Sequence, residues 1–105
     1  MKMLFLIRIY FLPMKHYNII ISGKVQRVGF RFSAMEAACR FSINGFVRNS
    51  GYDKVYVEAE GADDRMDLFL AWCRKGPLGA HVEQVELEEA PVRNFTRFDI
   101  VSRVE

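Results

Sequence analysis

The chain has 105 residues, half of them hydrophobic, which fits one domain around one core and rules out a disordered polymer. Its formal charge of +2 argues against a general nucleic-acid binder, which carries a strong basic excess. That charge is unevenly spread: residues 14–52 hold six Lys or Arg against one acid, Glu36, whereas residues 53–105 hold seven against twelve.

Residues 1–13, MKMLFLIRIYFLP, start as a signal peptide would, with Lys2 ahead of an apolar run. Arg8 interrupts that run, no small-residue cleavage site follows, and the run is too short to span a bilayer. Met14-Lys15 reads as a second start. Residues 1–13 are therefore expected to be an upstream-start extension or a loosely attached tail, with a peripheral membrane anchor as the minority reading. Residues 14–105 are expected to form the domain, without a membrane partner.

Residues 16–22 (HYNIIIS) are apolar and β-branched, a strand buried on at least one face. The turn Gly23-Lys24-Val25-Gln26-Arg27-Val28-Gly29-Phe30-Arg31 follows and leads into a helical pattern. Such a turn aims free backbone N–H groups and the positive end of a helix dipole at one point, which suits a phosphate. Lys24, Arg27 and Arg31 add three cations. The spacing alone is matched equally well by an ordinary strand-to-helix loop with solvated charges.

Phe30, Ala34, Ala37, Ala38 and Phe41 form the apolar stripe of a helix. A capping-box pattern over Ser33–Glu36 would start it near residue 34. Residues 43–48 and 54–60 read as two strands around a turn at 50–53. In the second of these, Val55, Val57 and Ala59 alternate with Tyr56, Glu58 and Glu60, so one face is expected buried and the other wet. Asp63 opens a second helix with Met66, Phe69, Leu70 and Cys73 inward, Arg74 and Lys75 in its last turn, and Gly76 and Pro77 to stop it. Residues 82–87 give a fourth strand with Val85 and Leu87 inward and Glu86 outward; Glu88, just past its end, points outward too. Residues 98–101 give a short last one. Cys39 and Cys73 both fall in helices and are expected to be buried free thiols, which fits the cytoplasm; a disulfide between the helices is the lesser alternative. Two separated Cys and two isolated His make no zinc site. His16 and His81 are read as structural or surface residues, and neither metal nor cofactor is expected.

The order is βαββαβ with a terminal strand, an α+β ferredoxin-like plan of two helices over one face of an antiparallel sheet. In it the first and second strands are parallel, with the third between them and antiparallel to both. Their C-terminal ends then share one rim, roughly 10 Å apart. The 23–31 turn leaves one of these ends, and Asn49 sits at the other. Val47 faces the core, so Asn49, two residues on, shares that face.

The segment GKVQRVGFR resembles the signature of the acylphosphatases, small hydrolases of carboxyl-phosphate anhydrides, whose pattern is Gly-x-Val-Gln-Gly-Val-x-Phe-Arg. It matches at Gly23, Val25, Gln26, Val28, Phe30 and Arg31 and departs at Arg27, where the family most often has Gly. A second block, Gly45-Phe46-Val47-Arg48-Asn49 continuing to Val55 and Gly61, is also similar, with Asp53 in place of the usual hairpin Gly. The resemblance covers residues 15 to about 103 and implies the same ferredoxin-like fold, with the first helix starting about three residues before residue 34 and Arg31 in its first turn. It implies that Arg31 binds the substrate phosphate and Asn49 positions the attacking water. The phosphate cradle would be Val25, Gln26, Arg27, Val28, Gly29, Phe30 and Arg31, through their backbone N–H groups and the Arg31 side chain. The partner expected is a small-molecule acyl phosphate, acted on by a cytoplasmic monomer. The family's domain also opens large hydrogenase-maturation carbamoyltransferases; the lack of such an extension here points to a free-standing enzyme. Two other readings stand beside this one. The first is a non-catalytic anion- or nucleotide-sensing module. The second is an RNA-binding domain using Tyr56 on the open sheet face, where Glu58 and Glu60 would repel RNA.

Overall fold

In a computed structural model, which describes residues 13–102, seven elements follow in the order β1 (Met14–Lys24), α1 (Phe30–Arg40), β2 (Asn44–Ser50), β3 (Lys54–Ala62), α2 (Asp63–Lys75), β4 (His81–Ala90) and β5 (Phe98–Ile100). The expected N-terminal extension lies, apart from Pro13, outside the described residues. The five strands form one sheet in the order β4-β1-β3-β2-β5. Both helices cover one face of it, as expected.

The alternating apolar residues set the register. Ile19 and Ile21 of β1 lie opposite Val57 and Val55 of β3, and Val47 of β2 lies opposite Val57 from the other side; all five are fully buried. Phe30, Ala34, Ala37 and Ala38 of α1 and Met66, Phe69, Leu70 and Cys73 of α2 close the core from above. Trp72 joins the two helices, its ring centroid 5.3 Å from Phe30 and 6.2 Å from Phe69. The alanines of α1 are small enough to let the helix sit close on β2.

Four expectations are corrected. The sheet is mixed rather than antiparallel, because β5 pairs in parallel with β2, Phe46 opposite Asp99. Cys39 is exposed, since it falls on the outer side of α1, while Cys73 is buried; both thiols are free. Leu87 faces the core side but is 38% exposed, because β4 is an edge strand with nothing beyond it. The open face of β3 is not wet: Glu58 and Glu60 are buried along with His16 of β1. The segment between β4 and β5 crosses that face as a strap. Glu60 accepts the backbone N–H groups of Arg93 and Phe95, and its Oε2 lies 2.8 Å from His16 Nδ1. Glu58 pairs with the Arg93 guanidinium at 3.2 Å, and Phe95 stacks on His16. Along β4, Glu83, Glu86, Glu88 and Glu89 are all exposed, Glu86 and Glu88 on the face opposite Leu87.

Candidate active site

β3 separates β1 from β2 and runs opposite to both, so β1 and β2 end on one rim. There the chain leaves β1 through residues 25–29 and enters α1 at Phe30. The helix therefore starts four residues before the capping-box position. Ser33 does not cap; Gly29 takes the N-cap position with φ 74°, a left-handed conformation that glycine adopts without steric cost. The first intrahelical bond of α1 runs from Ser33 N–H to Gly29 O at 3.1 Å, which leaves the N–H groups of Phe30, Arg31 and Phe32 without helical acceptors. The two helices differ at this end. Asp63 and Asp64 occupy the first turn of α2, whereas the first turn of α1 holds no acid and is open to an external anion.

Around this terminus lies a pit of about 70 Å³, lined by Val25, Arg27, Gly29, Phe30, Arg31, Phe32 and Asn49. A single water needs about 10–15 Å³ of such space, so the pit has room for a tetrahedral oxyanion and none for a nucleotide. The structure thus brings Arg31 and Asn49 together. Asn49 reaches the rim from β2, opposite Val55, on the face that carries the buried Val47. Among the described residues none of the three cations, Lys24, Arg27 and Arg31, has an ion-pair partner.

The other expected cradle residues divide by role. Val25 and Phe30 line the pit but are almost fully buried and belong to the core. The Val25 N–H already donates to Gly23 O at 3.0 Å, which passes the cradle on to later residues. Gln26 and Val28 do not line the pit. The Gln26 amide turns away and donates to Lys54 O at 2.8 Å and Gly51 O at 3.1 Å, tying the loop to the β2–β3 turn. Gly23 N–H secures the same turn through Asp53 O at 3.1 Å. The left-handed position of that turn is Gly51, φ 60°, so Asp53 stands in for the family's glycine without strain. Arg27 is different: it takes φ 63° itself, at a cost of about 1–2 kcal/mol for a residue with a Cβ. Phe32, 68% exposed at the pit mouth, was not singled out by sequence; its signal is an aromatic out of phase with the buried stripe of α1. Tyr56, the candidate RNA-stacking residue, is covered instead. Arg48 lies over its ring, and burial together with its hydrogen bond to Glu58 pushes its phenol up to about 12.

Fold and site together define a small α+β sandwich that offers a helix N-terminus, an arginine and an asparagine to a phosphate-sized anion. The acylphosphatase family model matches residues 17–100. An acylphosphatase of a Synechococcus strain is 43% identical over 77% of this chain and 69% of its own length. The acylphosphatase of Methylococcus capsulatus is 37% identical over 87% of this chain and all of its own. The solved structure of an acylphosphatase from Coxiella burnetii superposes with a TM-score of 0.81 at 31% identity, covering 84% of this chain and 93% of that one. The chain belongs to the acylphosphatase family.

Proposed function

We propose that this protein hydrolyses acyl phosphates, R–CO–OPO₃²⁻, to a carboxylate and inorganic phosphate, with the phosphate seated by the 23–31 loop and Arg31 and with water positioned by Asn49. The observation that carries this reading is the acid-free pit at the start of α1 that Arg31 and Asn49 share. The Arg31 fork donates to two phosphate oxygens, and backbone N–H groups of the pit-lining residues Arg27, Gly29 and Phe30 complete the cradle. The Asn49 side-chain carbonyl accepts from the attacking water without repelling a dianion, and a phosphate oxygen takes the water's proton. The leaving carboxylate is a weak base and needs no strong general acid, so positioning and charge stabilisation suffice, and the reaction needs neither metal nor cofactor. Free thiols at Cys39 and Cys73 support a cytoplasmic site of action, and the enzyme acts as a monomer on a small-molecule substrate. No helix among the described residues is long and apolar enough to cross a membrane.

Loss of benzoyl phosphate, followed by ultraviolet absorbance in the presence of EDTA, tests the proposal. Enzyme-dependent hydrolysis unaffected by the chelator is expected. A protein that binds phosphate but leaves benzoyl phosphate to decay at the buffer rate would be a sensing module instead.

A further inference from the structure

We propose that the groove beside the phosphate pit is an acyl-group subsite that selects acyl phosphates whose acyl part carries an anionic group of its own. This rests on the phosphate seating proposed above and extends it. The pit is filled by the phosphate, so the acyl group must leave it. A groove of about 320 Å³ adjoins it, lined by Gly23, Lys24, Val25, Gln26, Arg27 and Tyr52. Pit and groove share Val25 and Arg27, and of these Val25 is buried while Arg27 is exposed. Arg27 is thus the solvent-facing boundary between the two spaces.

The groove is one-signed. Lys24 and Arg27 are its only charged lining residues, and neither has an ion-pair partner among the described residues. Its far wall is Tyr52, 89% exposed, on the turn that Gln26 and Gly23 hold from both sides. The backbone of that turn is held before a ligand arrives. Arg27 also keeps a left-handed backbone, φ 63°, where glycine would be free of strain. A strained cation at the mouth of the pit fits a substrate that presents a second negative charge there, such as a terminal carboxylate.

The test compares kcat/KM for succinyl phosphate, whose acyl group bears a carboxylate, with that for benzoyl phosphate, whose acyl group does not. Arg27→Gly is chosen because glycine adopts the same backbone freely. The succinyl-to-benzoyl ratio is expected to fall by about 1.5–5-fold in Arg27→Gly and by a similar factor in Lys24→Gln, the range for exposed charge pairs. The double variant should lose the product of the two, and Arg27→Lys should keep most of the ratio. Raising the salt from about 0.01 M to about 1 M should shrink the wild-type preference towards that of the double variant. An unchanged ratio in Lys24→Gln, whose residue lines the groove and not the pit, or in any double variant that still turns over, overturns the subsite alone. A wild type inactive on both substrates overturns the proposed hydrolysis and the subsite with it.

Discussion

Arg31 and Asn49 share one pit but answer to different parts of the reaction, and the difference is measurable. Arg31 is proposed to hold the phosphate from the bound substrate onward, so Arg31→Ala should weaken both KM and kcat and abolish the rise in Tm that inorganic phosphate gives the wild type by mass action. Asn49 is proposed to place only water, so Asn49→Ala should lower kcat by about 10²–10⁴-fold with KM nearly unchanged and phosphate protection intact. Asn49→Asp puts a negative charge beside a dianion and should fail on both counts. Wild-type kcat in folded Asn49→Ala would remove Asn49 from the site. That these two residues meet on one rim was legible from the order of strands, and their singling out came from the family resemblance of the two blocks rather than from spacing. Phe32 was not legible, because nothing in the local pattern marks an out-of-phase aromatic as a mouth rather than a stray surface residue.

At the scale of elements, the glutamates of β3 show where pattern reading fails. The alternation of residues 54–60 gives the right faces, but it cannot show that the distant 91–97 strap covers the second one. Burial disfavours the charge on Glu60, yet the N–H groups of Arg93 and Phe95 and the His16 ring outweigh it and hold the carboxyl below its usual range. Its contribution to stability is then complete above the unfolded-state value of about 4.3 and is lost as pH falls through the folded-state value. Glu60→Gln should cost about 1–3 kcal/mol at pH 7 in denaturant melts, and the gap to wild type should close below about pH 4. A gap independent of pH would deny the carboxylate this role. β2 has its own constraint. A Cβ on Gly45, φ 143°, would lie 1.8 Å from Glu58 O across the β2–β3 pairing, whereas one on Gly29 meets nothing within 4 Å. Gly45→Ala should therefore cost about 3 kcal/mol or more, and Gly29→Ala only the about 1–2 kcal/mol of its left-handed backbone. Equal losses would mean that contact with Glu58 is not what reserves position 45 for glycine.

For the whole molecule, the order of strands and helices was readable because the apolar period switches between two and 3.6 residues at each strand–helix boundary and turn residues mark the β2–β3 hairpin, and the topology then follows from few choices. The parallel pairing of β5 was not readable: three residues, Phe98–Ile100, carry no signal of which edge they will join. Their arrival covers the β2 side of the sheet and leaves β4 as the other margin, ten residues long. That margin is an unfinished surface, with backbone donors and acceptors on offer to any extended chain. Glu83, Glu86, Glu88 and Glu89 stand along it, so a second copy approaching edge to edge would meet its own charge. β4 is in this sense a repellent hem, its row of charge turned towards encounters between molecules. Exchanging the four for glutamine would turn the same hem into a template on which strands could stack without end.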